Sequence, residues 1–147
     1  MSRGLQQELE TALGAVVEDM RLAATQLVSV LEAERDALAG ADATALDVIG
    51  ERKQSLMQQL EQLDIERLQL IQNAPFAGAL EPVWQQVVKA LQTCRDMNQR
   101  NGVLVGQRLG QVRRALAVLT GRNGDTGVYG PSGELHPALQ SHRLAQV

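Results

Sequence analysis

The chain has 147 residues, a formal net charge of −3 and a sequence pI near 5.4, and only 2% of its residues are aromatic. This length suggests one domain, and so few aromatic rings require a core of leucine and valine along helix faces. The charge provides no basic field for phosphates, and there are too few rings to stack bases, so the composition argues against nucleic-acid binding.

Cysteine usage and the N-terminal sequence predict the compartment. The single cysteine, Cys94, argues against a disulfide scaffold and suits a reducing environment. The N-terminal residues carry acids where a signal peptide needs an apolar core, and no apolar run approaches the ~18 residues that a membrane span needs. We therefore expect a soluble, cytoplasmic protein.

Two long helices are predicted first. Apolar side chains at alternating spacings of three and four residues predict one helix from about Leu5 to Ala39 and another from about Ala43 to Gln72. Gly40 marks the end of the first helix and Asp42 can cap the second. Because the connection is so short, the two helices must fold back as an antiparallel hairpin.

Charged residues interrupt the apolar faces of this hairpin. Glu34 lies near the end of the first helix, and Lys53 and Arg67 occupy core-type positions of the second. An antiparallel arrangement brings Glu34 within a turn or two of Lys53. Two interpretations are open: an ion pair between the helices, worth about 1 kcal/mol or less, or charges solvated at the rim of the interface.

The third predicted helix, from Trp84 to Leu119, carries the most unusual pattern. One face is apolar except at its midpoint, where Asn98 and Asn101 lie beside Gly102. An amide on an apolar face costs stability unless it has a partner, and it typically sets register or marks a site. We interpret Asn98, Asn101 and Gly102 as structural residues that set register or pair with a neighbouring helix; ligand binding is the alternative.

Glycines form a second unusual feature of this helix. Gly102, Gly106 and Gly110 recur at four-residue spacing on one flank, and each costs about 1 kcal/mol relative to alanine inside a helix. We expect them to let the third helix pack closely on the hairpin. Close approach of a partner helix is the alternative.

The composition changes after Gly121, where glycines and prolines replace the helical pattern. This segment cannot bury enough surface to fold by itself, so the sequence predicts a bundle at 1–121 and a flexible C-terminal tail at 122–147. The fold class is all-α: a long antiparallel hairpin plus a third long helix, forming an elongated three-helix bundle or coiled coil. The apolar residues of the tail are typical of anchors for another surface: Val128, Tyr129, Leu135, Leu139 and Leu144. For Tyr129, packing back on the bundle is the alternative.

No residue pattern indicates an active site. His136 and His142 lie six residues apart without an acid or thiol at ligand spacing, and the helices contain no Glu-x-x-His pair. Cys94 lies on an apolar face and is typical of a buried structural thiol. We expect no catalytic, cofactor or metal site, and we interpret the chain as an interaction protein rather than an enzyme.

Two separated motifs resemble the FlgN family of flagellar export chaperones. They are Asn98-x-x-Asn101-Gly102 and, about 27 residues further on, Tyr129-Gly130-x-x-Gly133. The resemblance implies a non-enzymatic cytosolic chaperone that binds the hook-filament junction proteins FlgK and FlgL through their amphipathic terminal helices. It also implies that the chaperone prevents their premature assembly and delivers them to the type III export gate, where FlhA is the docking partner.

The resemblance also implies where partners bind. Export-gate docking falls on Tyr129, and client binding falls on the end of the third helix and the tail, at Leu116, Leu119, Val128, Leu135 and Leu139. The alternative is a coiled-coil scaffold that self-associates without clients. Loss of the tail should abolish the function of a chaperone and leave that of a scaffold intact.

Overall fold

The computed structural model describes residues 2–73 and 78–121. Helix α1 spans Arg3–Ala39, α2 spans Ala43–Asn73, and α3 spans Glu81–Thr120 after a 3-10 turn at Gly78–Leu80. All elements in these ranges are helical, so the all-α fold class and the order of three long helices are confirmed. The predicted tail at 122–147 lies outside the described residues.

Helix α1 is the central helix. Eleven of its residues are buried, against four on α2 and four on α3. It packs against both other helices along its length. Since each buried methylene contributes about 0.8 kcal/mol, the buried side chains of α1 contribute most of the hydrophobic stabilisation of the described bundle. The main core residues are Leu13, Val17, Leu27, Leu31, Leu56, Leu60, Val87 and Cys94.

The turn between α1 and α2 uses an alanine in the left-handed conformation. Gly40 ends α1 as predicted: it is the C-cap, with a φ of −86°, and the next residue, Ala41, takes a φ of 53°. The backbone N–H of Asp42 donates to the carbonyl of Ala37 at 3.0 Å, which is the bond that closes a Schellman motif. Asp42 Oδ1 accepts from the N–H of Ala45 at 3.1 Å, so the predicted cap of α2 is confirmed.

Side chains of α3 donate to backbone carbonyls of α1 at intervals of seven residues. The two residues of each pair are 70 positions apart, so α1 and α3 run parallel in a constant register. The pairs are Cys94 Sγ with Ala24 O at 3.6 Å, Asn101 Nδ2 with Leu31 O at 3.0 Å, and Arg108 Nε with Leu38 O at 3.1 Å.

This register carries the end of α3 past the end of α1. Ala39, the last residue of α1, lies opposite Leu109, so residues 110–120 extend beyond the end of α1. At 1.5 Å per residue this part of α3, which we call the overhang, is about 16 Å long. Within the described chain, no residue of α3 after Asn101 is buried.

Candidate functional site

Four buried polar side chains join the three helices near the base of the overhang. Glu34 comes from α1, Lys53 from α2, and Asn98 and Asn101 from α3, and none of the four is more than 5% exposed. Lys53 Nζ donates to both carboxylate oxygens of Glu34, each at 3.3 Å, and to Asn98 Oδ1. Asn101 Nδ2 donates to Glu34 Oε1 at 2.8 Å. We call these four residues the polar cluster.

The polar cluster decides between the two interpretations of Glu34 and Lys53. The structure shows an ion pair between the helices, and the pair is buried rather than solvated at a rim. Burial lowers the pKa of Lys53, and the neighbouring Glu34 carboxylate partly offsets this effect. A buried pair contributes little net stability because its desolvation is costly, but removing one partner is strongly destabilising.

The two asparagines connect α3 to different helices. Asn101 bonds to α1, and Asn98 bonds to Lys53 of α2. Asn98 Nδ2 is buried without a hydrogen-bond partner in the described structure, at a cost of about 1–3 kcal/mol. Arg67 forms a second contact between α2 and α3, with its guanidinium 4.2 Å from the centre of the Trp84 ring.

The glycines of α3 do not contact the hairpin. A Cβ added at Gly102 or Gly106 would meet no heavy atom within 4 Å in the described part of the chain, and at Gly110 it would meet only Arg114 of the same helix. The expectation that these glycines let α3 pack on the hairpin is therefore wrong. The physical reason is that α3 faces α1 along the line of Cys94, Asn101 and Arg108, and the glycines lie to one side of it.

Cys94 has the environment of a structural thiol. It is fully buried, its Sγ contacts the carbonyl of Ala24, and burial raises the pKa of the thiol to about 11. A thiol that stays protonated is a poor nucleophile and a poor metal ligand. The described residues contain no group of three or more side chains that could hold a metal ion. His136 and His142 lie outside the described residues.

The overhang exposes large apolar side chains. Val112, Leu116 and Leu119 lie on the helix face that contacts α1 further upstream, and their exposed fractions are 55%, 49% and 82%. We call these three residues the apolar stripe. It contains both of the α3 residues that the sequence assigned to client binding, Leu116 and Leu119. The other assigned residues, Val128, Tyr129, Leu135 and Leu139, lie outside the described residues.

Charge is divided unevenly between the helices. Residues 2–73 carry thirteen acidic and six basic side chains, whereas α3 carries two acidic and six basic ones. After Asp96, α3 has four arginines and no acid: Arg100, Arg108, Arg113 and Arg114. Arg100 and Arg114 have no carboxylate partner among the described residues. The overall charge used in the sequence analysis conceals this segregation.

Arg108 links α3 to the end of α1, and sequence reasoning missed this contact. Its Nε and terminal nitrogen donate to the last carbonyls of α1, Leu38 O at 3.1 Å and Ala39 O at 2.6 Å. It thereby adds a donor to Leu38 O, which also accepts from the N–H of Ala41 at 3.3 Å, gives Ala39 O a donor, and places a cation at the negative end of the helix dipole. Its position seven residues after Asn101 was the available signal.

The fold and the site define an all-helical protein whose most distinctive described surface is an exposed, apolar and basic helix end. None of its described helices combines the length and the apolar character needed to cross a membrane. The chain belongs to the FlgN protein family, which matches residues 9–137. The resemblance found in the two sequence motifs is thus confirmed.

Named relatives agree with this assignment. The chain is 31% identical over 135 residues to the flagella synthesis protein FlgN of Yersinia enterocolitica, covering 86% of this chain and 88% of the relative. It is 30% identical over 128 residues to the flagella synthesis protein FlgN of Salmonella typhimurium, covering 84% of this chain and 90% of the relative. No solved structure gave a significant match.

Proposed function

We propose that the chain is a cytoplasmic, non-enzymatic export chaperone for the flagellar hook-filament junction proteins FlgK and FlgL. It keeps these clients from assembling prematurely and delivers them to the type III export gate through FlhA. Membership of a family whose relatives are named flagella synthesis proteins supports the flagellar role. The observation that carries the binding role is the apolar stripe, exposed on a helix end that Arg108 fastens to α1.

The proposed contact is a helix lying along a helix. Exposed apolar patches mark interaction sites, and an amphipathic helix places side chains at i, i+3, i+4 and i+7 against such a surface. The stripe offers this spacing, since Val112, Leu116 and Leu119 follow one another at four and three residues. In the proposal, the tail residues Val128, Leu135 and Leu139 add contacts when a client binds, and Tyr129 docks at FlhA. Ordering of a tail on binding keeps affinity moderate and release feasible.

A matched pair of variants tests the client surface. The variant Leu116→Ser/Leu119→Ser should lose at least about tenfold in affinity for purified junction proteins, since a desolvated apolar anchor is worth about 1–2 kcal/mol or more. The control Leu22→Ser/Leu68→Ser changes two exposed leucines on the other helices, which are 46% and 48% exposed against 49% for Leu116 and 82% for Leu119. Equal loss in both variants would refute a specific surface on α3.

A truncation tests the tail and the scaffold alternative. The full chain and a version ending at Arg122 are compared for capture of junction proteins from a cytosolic extract. A chaperone of the proposed kind should lose its clients on truncation, and Tyr129→Ala should weaken FlhA binding while the melting temperature stays unchanged. If both versions capture only further copies of the chain, and stripe substitutions dissolve the oligomer in sedimentation experiments, the chain is a self-associating scaffold.

A further inference from the structure

We infer that the overhang accepts an acidic amphipathic helix, with its apolar face on the apolar stripe and its carboxylates beside the arginines of α3. This inference rests on the proposed function, because it names the chemistry of the partner at the proposed client surface.

The position of the stripe indicates a helix as the occupant. Upstream, the same face of α3 meets α1 through Cys94, Asn101 and Arg108, spaced seven residues apart. Beyond Ala39 the face continues, but α1 has ended. A partner helix can therefore extend the line of α1 and pack on about 16 Å of α3, equivalent to about three turns.

The charges around the stripe indicate an acidic partner. On a helix with 100° between residues, Arg108 and Arg113 fall on opposite sides of Val112. Residues 97–120 carry four arginines and no acid, so a basic partner would meet like charge on both flanks. Complementary charge across an interface steers association and suppresses wrong partners. An acidic helix complements both the apolar stripe and the positive charge on its two sides.

An anionic bilayer fits the same surface less well. Amphipathic helices that lie on membranes bury a face of Trp, Phe and Leu side chains, whereas the stripe consists of one valine and two leucines over about three turns. Carboxylates also lie in and around the neighbouring α1–α2 turn: Asp36 near the end of α1, Asp42 in the turn and Asp47 near the start of α2. A bilayer presents its negative charge to all of these residues, whereas a helix can place its carboxylates beside the arginines alone.

Two labelled peptides and two matched variants test the inference. Both peptides are synthetic helices with leucines at i, i+3, i+4 and i+7; one carries glutamate and the other lysine on its flanks. Their binding to the full-length chain is followed by fluorescence anisotropy. Arg113→Glu is compared with Arg95→Glu, because 18 residues make five full turns and place both exposed arginines on the same side of α3.

The glutamate-flanked peptide should bind the wild-type chain more tightly, and its affinity should fall as salt rises from about 50 to 300 mM. Arg113→Glu should weaken this peptide about tenfold and shift preference toward the lysine-flanked one. Arg95→Glu, beside the bundle rather than the overhang, should change the affinity by less than about twofold. Circular dichroism checks that both variants fold.

Three results would overturn the inference: equal binding of both peptides, equal effects of the two variants, or tighter binding to phosphatidylglycerol vesicles than to the glutamate-flanked peptide. Capture of junction proteins is measured in parallel. If neither added salt nor Arg113→Glu changes the amount of junction protein captured, the acidic-helix inference is refuted and the chaperone proposal stands. Loss of all junction-protein capture, with the peptide preference intact, would refute the chaperone proposal and retain the acidic-helix surface.

Discussion

Replacing Lys53 with methionine tests whether the polar cluster holds the three helices in one arrangement. Methionine keeps much of the volume of the side chain but removes the cation that lies 3.3 Å from both carboxylate oxygens of Glu34. Glu34 would keep its bond from Asn101 Nδ2 at 2.8 Å, and Asn98 Oδ1 would lose its donor. Breaking a buried ion pair from one side costs about 3–5 kcal/mol. Because Asn101 remains, we expect the free energy of unfolding to fall by about 3 kcal/mol.

The assay is urea unfolding followed by far-ultraviolet circular dichroism, with three variants compared. The double variant Lys53→Met/Glu34→Gln removes the uncompensated charge and leaves an amide oxygen to accept from Asn101, so stability should return to within about 1 kcal/mol of the wild type. The control Arg52→Met removes an exposed guanidinium that donates to Gln26 at 2.8 Å, and should change stability by about 0.5 kcal/mol or less. The reasoning fails if Lys53→Met costs no more than this control, or if the double variant is less stable than the single one.

Four further substitutions test separate features. Burial raises the pKa of the Cys94 thiol from 9.0 to about 11, so the unfolded chain ionises first as pH rises, and stability should be lost as pH rises through this window. Between pH 7 and pH 10, the free energy of unfolding measured by urea titration should fall by about 1 kcal/mol more for the wild type than for Cys94→Ala. An equal fall in both proteins would contradict this. Arg108→Met should lower the free energy of unfolding by about 1–2 kcal/mol, because two carbonyls of α1 lose a charged donor; unchanged urea midpoints would show that water replaces it. Ala41→Gly should raise stability by about 0.5–1 kcal/mol in thermal unfolding, since glycine adopts a φ of 53° without strain, and a lower melting temperature would argue against strain at this turn. Asn98→Leu removes the acceptor of a hydrogen bond from Lys53, which destabilises the fold, and also an unpartnered donor, which stabilises it. We expect the free energy of unfolding to fall by about 1 kcal/mol on balance, whereas an increase would show that Lys53 does not need this bond.

The periodicity of the sequence was enough to predict three helices and their boundaries. Alternating three- and four-residue spacings are a local property of each helix, and the short connection at 40–42 leaves the hairpin no other geometry. Local rules also predicted the Asp42 cap, because the side chain and the N–H it accepts from are three residues apart. Gly40 was predicted to end α1 and is its C-cap, but the sequence did not indicate that Ala41 takes the left-handed conformation, because L-residues other than glycine rarely adopt it.

The residues of the site were identified by their unusual character, but their partners were not. Asn98, Asn101, Glu34 and Lys53 each interrupt an apolar face, which a single sequence shows plainly. Whether Glu34 meets Lys53 in water or inside the bundle depends on how α3 covers the hairpin. That packing involves residues far apart in sequence, such as Asn101 and Glu34, which are 67 positions apart. For the same reason the glycine flank was assigned to the wrong neighbour.

The sequence by itself thus determined the helices, the apolar face of each, the polar interruptions and the family resemblance. All of these depend on residue spacings and motifs that can be read along a single chain. The tertiary structure alone decided the offset of 70 residues between α1 and α3. That offset results from the sum of many weak contacts and a few directed hydrogen bonds between distant segments, which periodicity cannot rank. It buries the upstream half of the α3 face and leaves Val112, Leu116 and Leu119 exposed beyond the end of α1.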